Sequence, residues 1–157
     1  MNIKACLSKN TDEWQTPKKL YNFFIDNNFF DPCPINHTID GLEIEWKKHN
    51  FVNPPYSKLK IWINKAIQEM QKDKIIWLLI PSRTDTKWFK NLYDHNAKFM
   101  FIQQRLKFND SNCAPFPSML VKLTKLYIKP QFTILTQEQI KELQILWKQK
   151  DKFLKED

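Results

Sequence analysis

Residues 49–62 of the chain read HNFVNPPYSKLKIW, with two prolines between an asparagine and a tyrosine directly after an apolar pair. Proline has no amide hydrogen and cannot serve a central strand. A strand through Phe51 and Val52 must therefore stop at Asn53. The corner Asn53-Pro54-Pro55-Tyr56 then holds one amide and one aromatic ring in fixed relation, an arrangement suited to gripping a flat polar group. A second proline-ended corner, FFDPCP, occupies residues 29–34, and a Thr16-Pro17 pair precedes both.

The surrounding pattern predicts what positions these corners. Thr16 reads as an N-cap and Pro17 as a first helical residue, followed by Leu20, Phe23 and Phe24 at helical spacing. FFDPCP reads as a short strand, residues 35–50 as irregular with a turn at Asp40-Gly41, and the strand before Asn53 follows. Leu59, Trp62, Ile63, Ala66, Ile67 and Met70 form a helical stripe with Ser57 as its cap. KIIWLLIP reads as a buried strand, Asp85 as the cap of a helix carrying Trp88, Phe89, Leu92 and Tyr93, and KFMFIQ as another strand. A polar loop over about 109–117 precedes the strand pattern MLVKLTKLYI. Thr136 and Gln139 then open an amphipathic C-terminal helix with a capping box. Helices alternating with buried strands predict an α/β fold, a mostly parallel sheet with helices on both faces. The whole chain, 1–157, reads as one domain, with a polar arm at 1–12 and the C-terminal helix at 136–157. Ligands of such sheets sit at the carboxyl ends of strands, so both proline corners should line one crevice.

Composition narrows the function classes. The 157 residues are 42% hydrophobic and 27% charged, an ordinary globular balance, and no apolar run approaches a membrane span. The first ten residues lack the apolar core of a signal peptide, and Cys6, Cys33 and Cys113 are scattered without metal spacing, which suits a reducing interior. A net charge of +8 favours a polyanionic partner, although lysine bias alone also produces it. With one glycine, Gly41, neither a dinucleotide fingerprint nor a P-loop exists. His37, His49 and His95 form no ligand set with the cysteines.

The ordered set DEWQTP (12–17), FDPCP (30–34), DGL (40–42), NPPYS (53–57), Trp62 with Lys65-Ala66, IPSRTDTKWF (80–89), RLKF (105–108) and APFPS (114–118) resembles the small phage-type DNA N6-adenine methyltransferases. The resemblance implies a Rossmann-like methyltransferase fold and S-adenosylmethionine as cofactor. It puts Asp31, Pro32 and Cys33 beside the cofactor's amino-acid and ribose portion, Thr16 and Pro17 near its carboxylate, and Asp40 near its adenosine. Turn chemistry is the plain alternative for Asp31 and Asp40. It makes Asn53, Pro54, Pro55 and Tyr56 the catalytic corner. There the Asn53 side-chain oxygen and the Pro54 carbonyl hold the hydrogens of the adenine amino group, and Tyr56 stacks on a base flipped from the duplex. Related enzymes use aspartate at the asparagine's place, which implies that Asn53→Asp is tolerated.

Of the 25 basic residues only Arg83 and Arg105 are arginines. Their planar forks suit phosphate or a base edge, an ion pair of Arg83 with Asp85 being the structural alternative. The segment 104–118, placed by the resemblance at the crevice mouth opposite NPPY, offers Phe108 or Phe116 to the base's second face. Arg105 and Lys107 would meet the flanking phosphates. As a connector, the same segment would simply bury Phe116. The implied partner is DNA, with no membrane, in the cytoplasm of a bacterium hosting a virus or mobile element. A homodimer reading a palindrome is the natural assembly for such an enzyme. Three other readings stay open at this level: methylation of a protein glutamine, methylation of RNA adenine, and an inactive DNA-binding protein of the same fold.

Overall fold

A computed structural model of the chain describes residues 14–36, 38–109 and 112–142, without the side chains of 108, 109, 112 and 141. The expected arm at 1–12, His37 and most of the expected C-terminal helix lie outside the described residues. The strands are β1 (His49–Val52), β2 (Ile75–Pro81), β3 (Lys98–Ile102), β4 (Lys107–Asn109), β5 (Asn112–Cys113), β6 (Ser118–Leu123) and β7 (Gln131–Leu135). Five of them make one sheet in the order β1-β2-β6-β3-β7, and β4 pairs with β5 as a separate hairpin. β1 lies parallel to β2 and β3 parallel to β7, while β6 runs antiparallel to both of its neighbours. Four strands thus point one way and β6 alone is reversed, so the sheet is mostly parallel as expected.

Strand periodicity sends alternate residues to opposite faces. Ile76, Leu78 and Ile80 join Val52, Phe99 and Val121 under α2 (Leu59–Met70) and α3 (Lys87–Asp94). Trp77 and Leu79 join Phe51, Met100 and Leu120 under α1 (Lys18–Asp26), and Ile140 of α4 (Gln137–Lys141) packs on the same side. Helices cover both faces. Each fully buried Leu or Ile here contributes about 1.5–3 kcal/mol relative to exposure, which makes this double layer the main source of stability.

Several expected boundaries move, each for a visible reason. The FFDPCP strand shrinks to one bridge, Phe30 with Asn50, because Asn28 turns the chain at φ 62° just before it and Pro32 ends it. The Thr16 hydroxyl does not cap α1; Pro17 occupies the N-cap, and the hydroxyl serves Asn53 instead. A 3-10 turn, Tyr56–Lys58, separates Ser57 from α2, closed by Lys58 N–H donating to the Pro55 carbonyl. Thr86, rather than Asp85, caps α3 by accepting from Phe89 N–H at 3.2 Å. β6 ends at Leu123 because the Thr124 hydroxyl accepts from Leu126 N–H and turns the chain. The 109–117 loop contains the β4–β5 hairpin, and the edge strand β7, which exposes Phe132 and Ile134, had no counterpart in the expected elements. The capping box at Thr136 and Gln139 is present as expected.

α2 itself carries a buried acid. Glu69 is fully buried, 3.0 Å from the Lys65 ammonium and in contact with Lys74, and it accepts from Trp46 N–H at 3.3 Å. Burial pushes its pKa up, but the Lys74 and Lys65 hydrogen bonds and the Trp46 amide outweigh this and hold it at about 2. An acid depressed in the fold stabilises it fully above the unfolded pKa and loses that contribution as pH falls toward the folded value. Glu69→Ala is expected to cost up to about 3–5 kcal/mol in urea unfolding at pH 7, because Lys74 loses its nearest carboxylate and keeps only that of the exposed Glu45 at 3.0 Å. Breaking the exposed Lys90–Asp94 pair by Lys90→Ala should cost no more than about 1 kcal/mol. The gap between the two variants should narrow as pH falls below about 4.5, the ordinary glutamate range.

Candidate active site

The carboxyl end of β1 and the Phe30 bridge deliver the two proline corners to one cavity of about 490 Å³, within the size range of small-molecule sites. Its lining includes Asp31, Cys33 and Pro34 from the first corner and Asn53, Pro54 and Pro55 from the second. Trp14, Thr16, Lys18 and Tyr21 complete one wall from the start of α1. The expectation of a shared crevice is met.

Asn53 is held from the side of the N-terminal segment. Its Nδ2 donates to the Trp14 carbonyl and, at 3.1 Å, to the Thr16 hydroxyl. A backbone carbonyl accepts only, so the amide nitrogen must face Trp14 and the oxygen must face away. That oxygen, Oδ1, is buried and has no hydrogen-bond partner. An orphaned buried acceptor carries a desolvation cost of about 1–3 kcal/mol, which a donor entering the site would relieve. Tyr56 follows one residue behind the lining. Its phenol is buried without a partner, burial pushes its pKa well above the ordinary value, and its ring lies edge-on to Phe116 at 5.3 Å. Phe116 also meets Trp14 edge-on at 5.5 Å.

Asp31 sits in the opposite corner. Its Oδ1 accepts from Cys33 N–H at 2.9 Å, which shapes the turn, and burial raises its pKa to about 6 against the lowering effect of that bond. Tyr21 across the cavity has its phenol pushed up by burial and then by the Asp31 charge. No ion pair satisfies Asp31 among the described residues.

The other anticipated residues are placed as follows. Pro17, the N-cap of α1, and Pro32 of the first corner do not line the cavity. Asp40 is exposed, with its carboxylate accepting from Leu42 N–H at 3.0 Å, and it too lies outside the lining. Arg83 is exposed and makes no ion pair with Asp85. The Arg105 guanidinium donates to the Ala114 carbonyl across the hairpin at 3.4 Å, so part of its fork is already used. Lys107 is exposed on β4, and the Phe108 side chain lies outside the described residues. Neither arginine nor Lys107 lines the cavity, whereas Phe116 does reach Tyr56. Sequence reasoning missed Trp14, Lys18 and Tyr21 as lining residues. Lys18 gave no signal in a lysine-rich chain, and Trp14 acts partly through its carbonyl, which no side-chain pattern reports.

An acid whose pKa is raised by the fold stabilises fully below its unfolded pKa and loses that contribution as pH rises through the folded value. Ionised Asp31 is therefore a burden above pH 6. Asp31→Asn should raise stability at pH 7.5 by up to about 3 kcal/mol and leave it unchanged near pH 4. Thermal unfolding from pH 4 to 8 checks both the sign and the window.

The chain matches 36% identically over 59 residues the DNA N-6-adenine-methyltransferase of Escherichia phage T1, a stretch that is 38% of this chain and 25% of that relative. The aligned part thus spans about a quarter of the relative's length. A crystal structure of a predicted O-methyltransferase, protein Atu636 from Agrobacterium tumefaciens, superposes with a TM-score of 0.40 at 20% identity, covering 62% of this chain and 44% of the other. The family model described as DNA N-6-adenine-methyltransferase (Dam) matches residues 4–156, and with that span the chain belongs to the Dam family.

Proposed function

We propose that this protein, acting as one domain, methylates the N6 amino group of adenine in DNA with S-adenosylmethionine as donor. The observation that carries this reading is the Asn53 amide. Both of its hydrogens are directed at the N-terminal segment, and its buried oxygen is left as a free acceptor beside the cavity.

The lining fits the donor. Asp31, without an ionic partner, suits an ammonium through a charge-assisted bond. Thr16 and Lys18 at the start of α1 suit a carboxylate, helped by the free N–H groups and partial positive charge of a helix N-terminus. Cys33 and Pro34 supply a less polar wall between the corners. Asp40 would join only if the cofactor extended past the lining residues. Bound there, S-adenosylmethionine supplies an electrophilic methyl group on sulfur.

The chain's own part in the transfer is orientation. The adenine amino group is a weak nucleophile because its lone pair is delocalised into the ring. Asn53 Oδ1 and the Pro54 carbonyl accept its two hydrogens and leave the lone pair directed at the methyl. The stiff proline backbone fixes the second acceptor. The proton released after transfer passes to water, so no strong base is needed. An adenine reaches this corner only outside the duplex. Stacking on Tyr56, with Phe116 on the second face, requires these two rings to part and admit the base. Arg83, Arg105 and Lys107 would meet phosphates around it, and a homodimer would read a palindrome in the host cytoplasm. No helix among the described residues is long and apolar enough to cross a membrane.

Tritium transfer from S-adenosylmethionine to DNA, RNA and protein in parallel decides among substrates. Label in DNA supports the proposal, and label in RNA or protein alone overturns it. With the wild type active, Asn53→Ala should lower kcat about 10²–10³-fold, as loss of one transition-state hydrogen bond does elsewhere, with cofactor affinity within a few-fold. For Asn53→Asp, which the resemblance implies is tolerated, we expect a loss instead. A carboxylate would turn an acceptor toward the Trp14 carbonyl, so this variant should also lose most activity. Near-normal turnover in Asn53→Ala would remove Asn53 from the mechanism.

A further inference from the structure

The DGL stretch at 40–42 has no role in the site as described, because Asp40 is not among the lining residues. Its geometry nevertheless leads back to the cavity wall. Asp40 turns the chain, its carboxylate accepting from Leu42 N–H and its carbonyl from Glu43 N–H at 3.1 Å. This presents Gly41 flat against the first proline corner. A Cβ on Gly41 would lie 2.0 Å from the Pro32 carbonyl oxygen and 2.9 Å from the Trp62 ring. The first distance is far inside contact range, with a backbone atom that cannot swing aside. The only glycine in the chain stands where backbone meets backbone.

What holds Gly41 there is Trp46. Its indole Nε1–H donates to the Gly41 carbonyl at 2.7 Å, inside the core, where Trp46 is 2% exposed. The Trp46 backbone N–H is in turn taken by the buried Glu69 carboxylate at 3.3 Å. A chain of contacts therefore runs from α2 through Glu69, Trp46 and Gly41 to Pro32, which lies between Asp31 and Cys33 on the cavity wall.

We infer that Trp46 is a positioning residue for the methyl donor, setting through Gly41 where the Asp31–Cys33 corner stands. This rests on the reading of the cavity as the S-adenosylmethionine site. Trp46 touches no substrate; it determines the placement of residues that do. A site of this kind needs its charged group within a few tenths of an ångström, and a carboxylate on a turn of three residues depends on what stands behind it.

The test uses Trp46→Phe, which keeps an aromatic ring in the core and deletes the indole N–H. Trp62→Phe removes comparable ring volume next to Gly41 but no bond to its carbonyl. Calorimetry with S-adenosylmethionine first establishes binding by the wild type, and its absence there would sink the cofactor reading itself. Given that binding, Trp46→Phe should weaken it about tenfold, a change the Trp62→Phe control does not share. KM for the donor should rise with kcat at saturation unchanged, and DNA affinity should stay at the wild-type value. The window in which Asp31 affects thermal stability should also shift toward the ordinary carboxylate range as the corner loosens. Unchanged donor affinity in Trp46→Phe would overturn the inference while leaving the cofactor reading intact. Equal losses in both variants, or a Trp46→Phe chain that does not fold, would reduce Trp46 to core packing and overturn it as well.

Discussion

The site depends on one side-chain amide with a single allowed orientation. Asn53 could not be turned over without setting its oxygen against the Trp14 carbonyl, and the Thr16 hydroxyl adds a second hold on the nitrogen. Through that amide the segment before α1 is tied to the end of β1, two parts of the chain almost forty residues apart. Phe116 touches both Trp14 and Tyr56, so the start of β6 is drawn to the same point. Three separate stretches thus meet around one acceptor atom. Its lack of a partner follows from how well the rest of the amide is satisfied.

Two buried acids show how the same chemistry is put to different ends. Glu69 is surrounded by Lys65, Lys74 and the Trp46 amide, and it ionises far more readily than a free glutamate. Among the described residues Asp31 has one backbone N–H and no cation, so burial dominates and its proton is held more tightly. Glu69 is finished business for the fold, whereas Asp31 is an unmet electrostatic demand facing a cavity. Strongly perturbed acids occur in both roles, and only the presence or absence of a partner tells them apart.

Much of this was legible in the residues because proline acts locally. Pro32 and Pro54 end extended segments whatever surrounds them, which is why the two corners and their meeting place followed from spacing alone. The apolar runs of β2 and β6 and the stripe of α2 were equally readable, since burial on a regular period leaves a pattern. Boundaries were less so. Thr16 has the chemistry of a cap, but a tertiary partner claims its hydroxyl. The segment that holds β7 was hidden because its apolar residues face outward at a sheet edge, against the usual sense of burial. Trp46 and Glu69 could not have been singled out. A carbonyl 2.7 Å from an indole N–H leaves no mark on side-chain composition.

The reversed strand has a temporal consequence. β2 and β3 never touch; each is bonded only to β6 on that side, and β6 is made after both. During synthesis, then, the first hundred residues can form the β1–β2 pair and its helices but not a closed sheet. β3 can join that pair only once residues 118–123 are made and bond to both, and β7 is added after them, so the sheet is completed through long-range contacts of the kind that slow folding. The same strand brings Pro117 against Ser82 and Phe116 against Tyr56. The Asn-Pro-Pro-Tyr corner therefore gains its Phe116 neighbour only with the strand that links β2 to β3, and a nascent chain stalled before that point would carry those residues without this enclosure.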